Sequence, residues 1–270
     1  MSARSSKIVY VDSEERISGT SSNFSYAIDI PDGAKYDTCC VLSMIIPRSY
    51  YLIRSGQNRA VITIDGVEYP FEVSPGNYNA NNFAEALLAI LNGIAPASFT
   101  IAFSTITGKY TYKYTGEATV VFVFEDPSRL GHQMGFDEVS VNQFVNGSAT
   151  GMPVATLTSK NVVNFVSTST LFLHSDMVND GTDILQEVYA ENSIPFSNLV
   201  YNCKVPGLYA KKLRNNTSSM FNFSLCDEHD NEVDLNGHEI CVTLILYRRE
   251  DLTKTFQKGF EALLSQSSQD

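Results

Sequence analysis

Four histidines, 14 tyrosines, five cysteines and one run of carboxylates are the residues of this chain whose chemistry could build a site. His132 lies in the segment SRLGHQMGF, His174 ends an apolar alternation, His229 sits in DEHDNEVDLNG, and His238 follows Asn236-Gly237. Acid–base work by histidine needs a nucleophile or carboxylate held within hydrogen-bond reach. No such motif flanks any of the four, and turn or surface roles are the better reading. The chain contains no G-x-x-x-x-G-K-[ST], G-x-G-x-x-G, H-E-x-x-H or G-x-S-x-G. It also lacks the paired short Cys/His spacings of a structural zinc site. Asp227, Glu228, Asp230, Glu232 and Asp234 offer the oxygens that hard cations prefer. Counted from Asp230, however, the sixth position is Leu235, where an EF-hand loop needs glycine. The run reads as a solvated connection between two apolar strands, rich in turn-forming Asp, Asn and Gly. Catalytic, cofactor-binding and metal-binding residues are therefore all assigned as none, and the chain is not expected to be an enzyme.

A binding reading rests on Tyr110, Tyr112 and Tyr114, which alternate with Thr111 and Lys113. Exposed, they would stack on sugar rings in a carbohydrate- or receptor-binding β-sandwich module. The same alternation is also that of an ordinary amphipathic strand.

The formal net charge is −11, so the average surface repels the phosphate backbones that proteins grip with Lys and Arg. The basic clusters, Lys211, Lys212 and Arg214 and then Arg248 and Arg249, are too short to reverse this, and direct nucleic-acid binding is not expected. No apolar run approaches the roughly 20 residues of a membrane span, and MSARSSKIVYVDSEER lacks the apolar core of a secretion signal. Cys39 and Cys40 are adjacent, Cys203, Cys226 and Cys241 are scattered, and the odd count fits a reducing compartment.

The elements that position these residues are mostly strands. Phe24, Tyr26, Ile28 and Ile30 share one face of a half-buried strand, and Thr38–Tyr51 is apolar on both faces up to Pro47. Asp65-Gly66 between two alternating runs predicts a tight hairpin, because both central residues tolerate positive φ. In NANNFAEALLAILNG the period changes: Phe83, Leu87, Ile90 and Leu91 form a helical stripe, with a capping box at Asn82 and Glu85 and a C-cap at Gly93. Strands follow at Phe99–Phe103, Tyr110–Tyr114 and Thr119–Phe124, then a Gly/Ser/Thr-rich connection over 127–159. Beyond it come Leu171–His174, Ile184–Ala190, Asn198–Cys203, Leu208–Leu213, Ser218–Leu225 and Glu239–Tyr247. With the two strands before residue 52 these make eight, the number of a jelly roll. The expected fold is mainly β: an antiparallel jelly-roll sandwich over 1–54 plus 156–250, an inserted α+β domain over 55–155 between its second and third strands, and a C-terminal helix and tail over 251–270. Two side-by-side β domains split near 155 are the competing partition. In the final helix Leu252, Phe256, Phe260, Leu263 and Leu264 form an apolar stripe, a candidate partner interface.

Several blocks together resemble a known family. YVDSEERISGTSSNFSYAIDI, VLSMIIPRSYYLI, PGNYNANNFAEALLAILN, FTIAFSTITGKYTYKY and SRLGHQMGF, followed by LFLHSD, LVYNCKVP and SLCDEHDNEVDLNGHEICVTLILYR, look like successive blocks of penton-type jelly-roll minor capsid proteins of virophages, Polinton-like viruses and related large DNA viruses. The order of the blocks, the LNG helix end, the TGKY turn and the D-x-N-G turn carry the resemblance, which covers about residues 10 to 250. It implies a jelly roll with an insertion, assembled as a homopentamer at icosahedral vertices beside a double-jelly-roll major capsid protein. It also implies a place in the virion, with synthesis and assembly inside the host cell. Another minor capsid or cement role would share the same blocks. The resemblance implies no catalytic residue and no cofactor.

Overall fold

The computed structural model describes residues 6–30, 36–96, 98–125, 128–147, 153–165, 170–178, 181–190, 197–214 and 219–249. The chain begins in β1 (Ser6–Asp12), passes through a 3-10 turn capped by Asp12, and continues into β2 (Ser18–Gly19), β3 (Asn23–Ala27) and β4 (Thr38–Pro47). It then enters a second compact unit, Tyr51–Ser167, before returning to complete the first, which comprises Met1–Tyr50 and Thr168–Asp270.

In the inserted unit, β5 (Arg59–Ile64) and β6 (Val67–Glu72) form the hairpin that Asp65-Gly66 predicts, with φ of 49° and 79° at the turn. Helix α1 (Ala80–Ile94) follows. Its N-cap is Asn79, whose side chain accepts from the N–H groups of Asn81 and Asn82, while the Asn82 side chain accepts from the Asn79 N–H. The expected box at Asn82 and Glu85 thus lies one turn too far in. Four asparagines in close succession offered several caps, and the earlier one gains another turn of helix for the stripe Phe83, Leu87 and Leu91 to bury. Gly93 stays helical and the C-cap is Ala95.

Strands β7 (Phe99–Ser104), β8 (Lys109–Thr115) and β9 (Val120–Phe124) come next. The stretch expected to be a mere connection then carries α2 (Leu130–Met134), β10 (Ser140–Gln143), β11 (Val145–Gly147) and β12 (Val154–Thr158). These elements are short, and Gly, Ser, Thr and Asn run through and between them, so composition alone mimics a loop. Gly135 ends α2 at φ +81°, where an added Cβ would lie 2.6 Å from Ser159 Cβ and 2.7 Å from the Asn161 carbonyl oxygen. Two four-stranded antiparallel sheets result, β10-β9-β5-β6 and β11-β12-β8-β7.

The first unit resumes with β13 (Thr170–Ser175), β14 (Ile184–Tyr189), β15 (Asn198–Asn202), β16 (Lys211–Lys212), β17 (Met220–Asp227) and β18 (Cys241–Tyr247). One sheet runs β1-β18-β4-β15, with β16 also on β4, and the other β14-β13-β17-β3-β2. Leaving out the two-residue β2 and β16 and renumbering the rest in chain order, these sheets are 1-8-3-6 and 5-4-7-2. That is the double Greek key of a jelly roll. The eight strands differ from those expected. Ser6–Asp12 is the first of them, and of Leu208–Leu213 Lys211–Lys212 pairs as a strand with Leu213 adding a single bridge to Val178. The insertion therefore separates the third and fourth strands, not the second and third. Ile8, Val9, Tyr10 and Val11 are apolar on both faces, which hid the alternation that marks a half-buried strand. Val11, Phe24, Met44, Leu173, Phe223 and Leu244 fill the space between the sheets.

Candidate functional site

Tyr110, Tyr112 and Tyr114 do not form a surface. All three point into the inserted unit, with exposures of 0%, 0% and 8%. The Tyr112 hydroxyl donates to the Met134 carbonyl at 2.9 Å and that of Tyr110 to the Ala80 carbonyl. Burial holds both phenols above their ordinary pKa. A sugar cannot stack on them, and the alternation is that of an amphipathic strand whose aromatic face is inward.

Three carboxylates of the acidic run, Asp227, Glu232 and Asp234, are engaged by their own loop and its neighbours. Asp227 accepts from the N–H groups of His229 and Asn231 and from the Asn231 side chain. Glu232 accepts from Thr20, Ser22 and Asn23, and Asp234 from the Asn236 N–H. Among the described residues no three His, Cys, Asp or Glu are grouped to hold a metal ion. His174 Nδ1 is 3.0 Å from Asp183 Oδ1 and its Nε2 is 3.9 Å from Asp230 Oδ1. These contacts tie the strand to the β13–β14 turn and to the acidic loop, and Ser224 lies opposite His174 on the neighbouring strand. His132 Nδ1 lies 3.9 Å from Glu138 at the end of α2. Cys40 Sγ and Cys203 Sγ are 3.9 Å apart as free thiols in hydrogen-bond contact, and burial followed by the neighbouring thiol pushes Cys40 up to about 12, which keeps it protonated. The stripe Leu252, Phe256, Phe260 and Leu263 lies outside the described residues.

What the residues do bring together is a set of exposed apolar side chains on the outer face of the sheet β1-β18-β4-β15, on either side of a polar row of Thr243, Ser43 and Asn202. In register across it, Ile8 lies opposite Ile245, and Cys241 opposite Ile45, which lies opposite Val200. Tyr10 is 72% exposed, Val200 61%, Ile8 51% and Ile45 43%. The intervening residues Val9, Val11, Val242, Met44 and Leu199 are buried on the other side. A half-buried sheet ordinarily turns polar side chains to water. Aliphatic and aromatic groups exposed on adjacent strands depart from that pattern. The signal was present in the sequence: Ile8-Val9-Tyr10-Val11 and Met44-Ile45-Ile46 are apolar at consecutive positions, which no strand with one solvated face requires.

Among solved structures, a crystal structure of the mavirus penton protein, labelled with selenomethionine, matches this chain. The identity is 11%, the TM-score is 0.42, and the match covers 90% of this chain and 99% of that one. So loose an overlap transfers neither family nor function, and the jelly-roll strand order stands without it. No family model matches the chain, and no curated protein does.

Proposed function

We propose that this chain is a structural subunit of a viral capsid, a penton or vertex subunit that contacts copies of itself through the outer face of the sheet β1-β18-β4-β15. The observation that carries the reading is the exposed row Cys241, Ile45 and Val200 with Ile8 and Tyr10 beside it, on a jelly roll that holds an inserted domain between its third and fourth strands. The order of sequence blocks resembling penton-type minor capsid proteins adds the class of assembly. The ring of five and the double-jelly-roll major capsid protein as second partner are drawn from that resemblance alone. The stripe Leu252, Phe256, Phe260 and Leu263 is assigned to the same partner contacts on its helical spacing. In this reading the protein acts in the virion, is assembled within the host cell, and uses no catalytic group or cofactor.

The test is the oligomeric state. A net charge of −11 on every copy repels neighbours, so association should strengthen as salt screens that repulsion. Light scattering should show a closed oligomer at several hundred millimolar salt and a shift toward monomer at millimolar salt. Val200→Glu with Tyr10→Glu should abolish the oligomer and leave the monomer's melting temperature within a few degrees, since both side chains are exposed. A strict monomer at all salts, which also fails to join particles of a major capsid protein, would refute the proposal.

A further inference from the structure

Cys40 lies in β4, ahead of the inserted unit, and Cys203 follows β15, beyond it; the two are 163 positions apart in sequence. Strand pairing brings them together. The β15–β4 ladder ends with Asn202 opposite Ser43, and the next N–H, that of Cys203, donates to the Leu42 carbonyl at 2.8 Å. Lys211 then pairs with Cys39, so Cys40 sits between the two places where the later chain meets β4. The thiols are in hydrogen-bond contact at 3.9 Å, and the Tyr201 side chain is hydrogen-bonded to Cys203 as well. A disulfide needs about 2 Å between its sulfurs. Here the backbones are already held side by side by bonds that owe nothing to the thiols. The other cysteines are placed differently. Cys39 packs between the sheets, Cys226 lies in β17 of the opposite sheet beside Ser224, and Cys241 is exposed in β18.

The two sulfurs differ in access, which sets the order of the chemistry. Cys40 is 0% exposed, and burial followed by the neighbouring thiol keeps it protonated. Cys203 is half-buried, and its sulfur is the one that a reagent in solution meets first. We propose that Cys40 and Cys203 form a modification site, a dithiol that a low-molecular-weight disulfide such as glutathione disulfide converts to an intrachain disulfide that staples the jelly roll. The Cys203 thiolate attacks one sulfur of the reagent, forming a mixed disulfide and releasing the first glutathione thiolate. Cys40 then gives up its proton and attacks the Cys203 sulfur, the bond from Cys203 to glutathione breaks, and the second glutathione leaves. The two protons lost by the protein thiols end on the two glutathiones. The protein is oxidised by two electrons and glutathione disulfide is reduced by two. A mixed disulfide at Cys203 carries no ionisable thiol, so one of the two causes that keep Cys40 protonated is gone before the second step. The bond closes a loop that contains the whole inserted unit, and constraining so long a loop removes freedom mainly from the unfolded chain. Reducing surroundings keep the pair open and oxidising ones close it. The inference goes beyond the assembly role and does not depend on it.

The experiment uses the full chain, purified under reducing conditions and then held overnight with glutathione disulfide. Thiol titration in denaturant should fall by two, from five to three per chain, and peptide mapping without reductant should find Cys40 joined to Cys203. Scanning calorimetry should place the jelly-roll transition at least about 5 °C higher, and dithiothreitol should return it. Cys203→Ser should form no link from Cys40 and show no such rise. The mapping needs no variant, so it decides the matter even if Cys203→Ser folds poorly. Five thiols that persist, a glutathione adduct on Cys203 that goes no further, a link that uses Cys39, Cys226 or Cys241 instead, or a bond that leaves the transition in place would each overturn the inference. Light scattering on the same samples separates the two proposals. An oligomer that never forms the bond sinks the staple alone, whereas a monomer that forms it sinks the capsid role alone.

Discussion

The two units of this chain fill their cores with different side chains. Of the 20 buried core residues described in the inserted unit, ten are Phe or Tyr; in the jelly roll the aromatics are five of 27. The difference follows from architecture. Two broad sheets facing each other leave a gap about 10 Å deep that alternating Val, Leu and Ile from both sides fill well. The inserted unit has two four-stranded sheets, some strands only three to five residues long, and two helices, so fewer positions face inward. Each must bury more area, and aromatic rings bury about 150 to 250 Å² apiece. Phe122 shows the result, with ring centroids of Phe71, Tyr112, Phe124, Phe136 and Phe144 all between 5.3 and 6.5 Å from its own.

The largest expected effect tests whether the two cores are independent. Phe122 and Leu173 are both fully buried, one in each unit. Phe122→Ala should cost the inserted unit about 3 to 5 kcal/mol, and Leu173→Ala should cost the jelly roll about 2 to 5 kcal/mol. In scanning calorimetry of the full chain, each variant should lower its own transition by on the order of 10 °C and leave the other in place. If both variants lower one common transition, the units unfold together and the contrast between their cores has no thermodynamic counterpart.

A smaller effect concerns the hydroxyls that ride on the aromatic core. Tyr112→Phe leaves the buried Met134 carbonyl unpaired and should cost about 1 to 3 kcal/mol. In the jelly roll Tyr26 is less deeply placed, its hydroxyl shared between the Tyr10 carbonyl at 3.1 Å and Glu15 at 3.2 Å. Tyr26→Phe should cost about 0.5 to 1.5 kcal/mol, because water can replace the lost partner at a partly buried site. Urea unfolding of both variants would order them. Equal costs would mean that burial does not set the value of these bonds.

The same contrast explains what could be read in the sequence. The Asp65-Gly66 hairpin, the helix stripe and the strands β3, β4, β17 and β18 were legible because local signals determine them: positive φ at a turn, a change of period, alternation. The strand β1 was not, because it pairs with β18 more than 200 residues away and is apolar on both faces. The short elements over 127–159 were missed because they are held by tertiary contacts, such as β12 on β8, and not by composition. Likewise the tyrosine surface was misplaced. Sequence places Tyr110, Tyr112 and Tyr114 on one face of a strand, but only the fold says which face is inside. The row Cys241, Ile45 and Val200 exists only once three strands distant in sequence lie in register.

The smallest expected effect is electrostatic and compares one ion contact in each unit. In the inserted unit Asp137 accepts from Lys160 Nζ at 2.6 Å and Asn161 Nδ2 at 3.0 Å, and these bonds hold its carboxyl below the usual range. In the jelly roll the hydrogen bond from His174 does the same for Asp183. A carboxyl whose pKa is lowered by folding contributes stability above its unfolded value, near 3.9, and that contribution is lost as pH falls through the lower folded value. Both units should therefore lose a little stability from about pH 4 downward. Both carboxylates are exposed, so solvent and salt screen the effect. Asp137→Asn should flatten the acid dependence of the inserted unit's transition only, and Asp183→Asn that of the jelly roll only, in melts taken from pH 5 to pH 2. Asparagine keeps an acceptor oxygen and removes the titrating proton, so the melting temperature at neutral pH should move little in either variant. An unchanged slope in both would mean that the acid loss comes from other carboxylates, and a slope that flattens in the opposite unit would mean that the two do not respond to acid separately.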